Sequence, residues 1–171
     1  MDVRPLDSRR DLQGVHRVNV LAWREAYDGI LPESVLEERS VDLPPGDAAA
    51  QYDRLRSQPG CFLVAVDDDV IRGYLFLRWG HDSKQFVDED EAGLKEIYVE
   101  PDYWGEGIGT RLLDRALDEL PDYIDAVKLE MLAGNDVAQS FYESHDFEQV
   151  GSTEFELGDD TYPTDVYEKH V

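Results

Sequence analysis

Residues 104–109 read Trp-Gly-Glu-Gly-Ile-Gly, between an extended apolar stretch, LKEIYVE (94–100), and an amphipathic one, TRLLDRALDEL (110–120). Three glycines within five residues weaken any regular element, so this run is a turn. A strand before it and a helix after it demand a sheet with a helix packed on at least one face. The turn also exposes the first N–H groups of that helix, which have no acceptor inside it, together with the positive end of its dipole. With no Cβ on Gly105, Gly107 or Gly109, a pyrophosphate fits against the backbone. The turn holds no Lys or Arg, and Arg111 is the nearest cation.

The common nucleotide motifs do not match. A Walker loop needs Gly-Lys-Ser/Thr, and Gly109 is followed by Thr110 and Arg111. A dinucleotide fingerprint G-x-G-x-x-G starting at Gly105 ends on Thr110, and one starting at Gly107 ends on Leu112. Two readings of the turn remain at this point: an anion seat, or a glycine-rich turn with no ligand.

The rest of the chain predicts a mixed α/β domain. VRPL (3–6) reads as a first strand. Residues 9–27 carry Leu12, Val15, Val18, Ala22, Trp23 and Ala26 at helical spacing, and PESVLEERS reads as a second, short helix. Asp47 is placed to cap a helix running to Arg56. CFLVAV and VIRGYLFLRW flank a DDD turn as a hairpin, and a long acidic loop, HDSKQFVDEDEAG, follows. After the glycine turn and the helix at 110–120 come a strand (AVKLEML), a helix capped by Asn135 or Asp136, and two final strands around GDD. No repeat or linker divides residues 1–171, which read as a single domain.

Charge restricts the partners. The chain has 39 acidic and 16 basic residues, a net of -23, and only four lysines. The acids are spread along its length, a surface that repels nucleic-acid phosphates and anionic lipids. Dispersed acidity with scarce lysine suits solubility in high salt, so a halophilic source is expected. No apolar run approaches a membrane span and the N-terminus lacks a signal pattern, so the expected location is cytoplasmic. Cys61 opens an apolar run and reads as an inert thiol. His16, His81, His145 and His170 show no ligand spacing, and no metal is expected.

Two runs together carry a family resemblance. IYVEPDYWGEGIGTRLLDRAL and LEMLAGNDVAQSFYESHDF, with N-x-x-A-x-x-F-Y beginning 26 residues past Gly109, resemble the motifs of the GNAT family of N-acetyltransferases. AWREAYDGILPESV resembles the first helices of many members. The resemblance implies a mostly antiparallel central sheet of about six or seven strands flanked by four or five helices. Its acyl-CoA loop, Q/R-x-x-G-x-G/A, falls on Trp104, Gly105, Glu106, Gly107, Ile108 and Gly109. Trp104 departs from the pattern, which leaves the backbone N–H groups from Glu106 to Thr110 to hold the pyrophosphate of acetyl-CoA. The backbone near Tyr98 and Val99 would hold the acetyl carbonyl. Asn135 matches a cofactor contact and equally reads as a helix cap. The second motif ends Asp146-Phe147 where the family has Gly-Phe.

The implied reaction moves an acetyl group from the thioester to a primary amine by direct transfer in a ternary complex. It needs a proton acceptor for the amine and a proton donor for the thiolate. Tyr142 matches the family's general acid, and a phenol is protonated at neutral pH; spacing alone reads Tyr142 as core. Glu96, flanked by Leu94, Ile97 and Tyr98, is the candidate base, against its reading as a solvated acid. Glu25, Tyr27 and Asp28 are candidate acceptor contacts. A non-catalytic acyl-CoA-binding or regulatory module is the alternative. The amine stays unidentified, and a homodimer is compatible with the resemblance but specified by no residue.

Overall fold

The computed structural model describes residues 1–80 and 86–171; His81 and the start of the acidic loop lie outside them. The strands are β1 (Asp2–Pro5), β2 (Gly60–Asp67), β3 (Val70–Arg78), β4 (Glu91–Val99), β5 (Ala126–Leu132), β6 (Glu148–Leu157) and β7 (Asp160–His170). The helices are α1 (Asp11–Ala26), α2 (Glu33–Glu37), α3 (Pro45–Arg56), α4 (Ile108–Asp118) and α5 (Asp136–Ser144), with a 3-10 turn at Pro101–Tyr103. The sheet order is β1-β2-β3-β4-β5-β7-β6. Of the pairings described, β4 with β5 is parallel, in register Glu91↔Ala126 to Gly93↔Lys128, and the others are antiparallel. The mixed, mostly antiparallel sheet of seven strands matches the expectation.

The chain divides into two units, residues 1–78 with 96–120, and residues 79–95 with 121–171. In the first, β2 and β3 form the expected hairpin. Asp68 (φ 49) and Asp69 (φ 62) make its two-residue turn, which a short polar side chain tolerates. Leu12, Val15 and Val18 of α1 bury against Val64, Ile71, Tyr74 and Phe76. Gly14 allows this approach, since a Cβ there would meet Ile71 side-chain atoms at 2.9 Å. In the second unit Ala126, Val127, Leu129 and Met131 of β5 are buried, as are Val166 and Tyr167 of β7. Here Asp146, in the family's glycine position, holds φ 67, supplying the left-handed turn that glycine would give.

Two expectations need correction. Asp47 is not a cap: α3 begins at Pro45, whose fixed φ suits a first helical position, so Asp47 falls inside the first turn. The helix after the glycine turn begins at Ile108 rather than Thr110, because Gly107 in the left-handed region already closes the turn and Ile108 is buried. Among the described residues no helix is long and apolar enough to cross a membrane.

Candidate active site

The glycine turn is built to leave backbone exposed. Gly105 (φ 83) and Gly107 (φ 84) lie in the left-handed region, and a Cβ at either would meet nothing within 4 Å. Their glycine identity is therefore a backbone demand, and the space beside them is open. The first α4 bond runs from the Arg111 N–H to the Gly107 carbonyl at 3.1 Å, so the Ile108 and Gly109 amides precede any acceptor in the helix. Glu106 is exposed, and Gly109 and Thr110 complete the half-buried first turn. This Cβ-free cradle at a helix N-terminus fits a pyrophosphate. Gly73 seats it: a Cβ there would meet Ile108 at 3.2 Å, the Tyr98 carbonyl at 3.2 Å and Leu112 at 3.4 Å.

Side chains hold the entry to the turn. The Trp104 indole N–H donates to the Val99 carbonyl at 2.7 Å, tying that side chain to the strand end. The buried Glu100 carboxylate accepts from Arg17 of α1 and from Arg72 of β3, each at 2.7 Å. Burial opposes the Glu100 charge, but the hydrogen bonds from Arg72 and Arg17 outweigh it and hold its carboxyl below the usual value. Arg72 also lies over the Tyr103 ring, 4.7 Å from its centroid.

Glu96 heads an aromatic and polar cluster within the first unit. Asn19 Nδ2 donates to the Tyr74 hydroxyl at 2.8 Å and to Glu96 Oε1 at 3.4 Å. The Trp23 indole N–H donates to the Tyr98 hydroxyl at 3.1 Å, which bonds the Tyr27 hydroxyl at 3.0 Å. Desolvation pushes the Glu96 carboxyl from 4.5 up to about 7, while the Arg39 charge and the Tyr74 hydrogen bond partly oppose the rise. Burial likewise raises Tyr74 and Tyr98 well above the ordinary phenol value, and Tyr27 above it, so all three remain neutral donors. A carboxyl group poised near 7 amid neutral hydroxyls can take a proton near neutral pH. Of the candidate acceptor contacts, Tyr27 is buried in this cluster, whereas Glu25 and Asp28 are exposed.

In the second unit Asn135 caps α5, its Oδ1 accepting the Ala138 N–H at 3.2 Å. Tyr142 is buried, edge-on to Phe147 with centroids 5.6 Å apart and beside Phe141 at 5.5 Å. Both parts of the Tyr142 reading, core packing and acid, thus concern a residue that is packed. Among the described residues no three His, Cys, Asp or Glu side chains converge on a metal position.

The acetyltransferase (GNAT) family profile matches residues 21–147, which include α1 from Leu21, β4, the glycine turn and α5. The chain belongs to the GNAT family. Over 118 residues, 68% of this chain and 31% of the relative, it is 34% identical to an uncharacterized protein of Mycobacterium leprae. Over 76 residues, 44% of this chain and 48% of the relative, it is 38% identical to the ribosomal protein bS18 alanine N-acetyltransferase of Escherichia coli (strain K12). The matched segments thus span less than half the length of these relatives. The PaiA N-acetyltransferase of Thermoplasma acidophilum, solved with coenzyme A, shares the fold: TM-score 0.72, 23% identity, 99% of this chain and 98% of that one.

On this GNAT framework the sequence motifs locate the glycine turn and Glu96, but not the residues that surround them. Asn19, Trp23, Tyr74 and Arg39 escape motif reading, as does the Arg17–Glu100–Arg72 clamp. One signal was available: Asn19 is a polar residue on the buried stripe of α1, four positions after Val15. The strands' alternation gave no such sign for Tyr74 and Tyr98, whose hydroxyls meet helix residues distant in sequence.

Proposed function

We propose that residues 1–171 form a single N-acetyltransferase domain that transfers acetyl from acetyl-CoA to a primary amine in a ternary complex. The carrying observation is geometric: Glu96, held by Asn19 at 3.4 Å, lies on the strand that leads into the Cβ-free turn at Gly105 and Gly107. The acyl thioester supplies the electrophile when bound. Backbone N–H groups from Glu106 to Thr110 hold its pyrophosphate, the strand backbone at Tyr98 and Val99 takes the acetyl carbonyl, and Asn135 adds a cofactor contact. Glu96 accepts the proton released by the amine, and Tyr142 returns one to the departing thiolate. Direct transfer is favoured because Cys61, the single cysteine, is buried, donates to Glu119 Oε2 at 3.3 Å, and has its thiol pushed up to about 12, chiefly by burial. The Escherichia coli relative is named for an alanine amine of a ribosomal protein, which agrees with an amine acceptor. We further infer from the acidic surface a cytoplasmic, halophilic protein that does not use nucleic acid or membrane as partner.

The test is thiol release from acetyl-CoA across an amine panel. Turnover that Tyr142→Phe lowers at least about tenfold supports the proposal. Tight CoA binding without turnover for any amine returns the protein to the non-catalytic acyl-CoA module.

A further inference from the structure

The Glu96 cluster carries a second charge, of opposite sign, whose one part above is to oppose the rise of the Glu96 carboxyl. Arg39 follows α2, and Arg24 Nη2 donates to its carbonyl at 2.7 Å, holding this segment to α1. The Arg39 guanidinium lies over the Trp23 ring, with Cζ 4.8 Å from the centroid. Trp23 in turn donates to Tyr98, so Arg39 stands at the edge of the aromatic group that surrounds Glu96. Its charge acts on both Glu96 and Tyr74. Yet among the described residues Arg39 forms no ion pair, in a chain with 39 acids and 16 bases. The guanidinium thus sits over an aromatic ring, with no carboxylate paired to it among the described residues, and its forked N–H donors match a planar, two-oxygen partner.

An independent observation concerns the other end of the cluster. Asn19 is 6% exposed; its Nδ2 is committed to Tyr74 and Glu96, and its Oδ1 is buried without a partner. With its Oδ1 closed to solvent, Asn19 contributes by holding Glu96 through Nδ2. The cluster therefore offers an oriented acceptor at Glu96 and a set of donors at Arg39.

We propose that the acceptor amine carries a carboxylate, its nitrogen held at Glu96 and its carboxylate on the N–H groups of Arg39. The acceptor class is then amino acids and other amino-carboxylates, not di- or polyamines, whose second cation would face Arg39. This rests on reading Glu96 as the acceptor-side base. The expectation runs against the bulk field, since a protein of net charge -23 repels anions. A preference for the acid over its amide must therefore come from a local site.

The test pairs amino acids having one to three methylenes between amine and carboxylate with their amides. Binding to the CoA-loaded protein is measured by calorimetry, and turnover by thiol release. At least one acid should bind roughly 10- to 100-fold more tightly than its amide, the range for hydrogen bonds to a charged group. Arg39→Gln should abolish the difference by weakening the acid alone, and Arg39→Lys, which keeps charge but loses the fork, should restore part of it. Equal binding of acid and amide in every pair overturns the proposal, as does equal weakening of both by Arg39→Gln. Discrimination in binding without thiol release upholds the carboxylate subsite and removes the acetyltransferase reading. Thiol release with no discrimination does the reverse.

Discussion

Replacing Glu96 by glutamine tests the central electrostatic claim without any substrate. Desolvation lifts the Glu96 carboxyl from 4.5 to about 7. The folded protein thus binds a proton there across a pH range in which the unfolded chain has lost it. Stability therefore falls as pH rises from 4.5 to about 7, and the full penalty is present above 7. At about 1.36 kcal/mol per pH unit this is roughly 3 kcal/mol, and solvent reaching the half-buried residue reduces it to about 2–3 kcal/mol. Glutamine is nearly isosteric and never ionises. At pH 5, only half a pH unit above 4.5, about 0.7 kcal/mol of the penalty is present, so the variant should be only slightly more stable than the parent. At pH 8 it should be more stable by about 2–3 kcal/mol, or about 4–12 °C in Tm for a chain of this size. The assay is urea unfolding of both proteins at the two pH values in one fixed salt concentration, so that the other carboxylates cancel in each difference. A gain at pH 8 no larger than that at pH 5 refutes the reasoning: Glu96 would then be a solvated acid with no claim to act as the base.

The same group predicts that kcat/KM of the native protein rises about tenfold per pH unit below about 7 and levels above it, and that Glu96→Gln removes this limb; the pH profile checks both. Gly107→Ala places a Cβ on backbone with φ 84 and should cost about 1–2 kcal/mol of stability by denaturant titration, while weakening CoA binding about tenfold by calorimetry. Glu100→Gln leaves Arg17 and Arg72 without their shared carboxylate and should destabilise by about 2–3 kcal/mol at pH 7; because Glu100 opens the turn, KM for acetyl-CoA should rise more than kcat falls. Screening of a net charge of -23 should raise the unfolding midpoint steadily with KCl, and full stability in dilute buffer would count against a halophilic source.

What was legible in the sequence was whatever depends on neighbours along the chain. Gly105 and Gly107 adopt positive φ because a strand must turn into a helix there, and that need is visible in six consecutive residues. The β2–β3 hairpin announced itself through the Asp68–Asp69 turn, and α5 through Asn135, for the same local reason. Glu96 was legible as a candidate, because apolar neighbours on its own strand imply desolvation, but the environment that tunes it was not. Asn19 lies 77 residues away, and Trp23 reaches the cluster through Tyr98, 75 residues on. No periodicity in α1 says which side chain of β4 it will meet. The Glu100 clamp has the same character: its two arginines come from α1 and β3, 83 and 28 residues earlier. Under the proposed function the donor-side turn is written in one segment, whereas the acceptor side is assembled from α1, the segment after α2, β3 and β4. On that reading, family motifs point to the acyl donor and leave the amine unnamed. It also directs the search for the amine to Arg39 and the surroundings of Glu96, which no motif marks, rather than to the glycine turn.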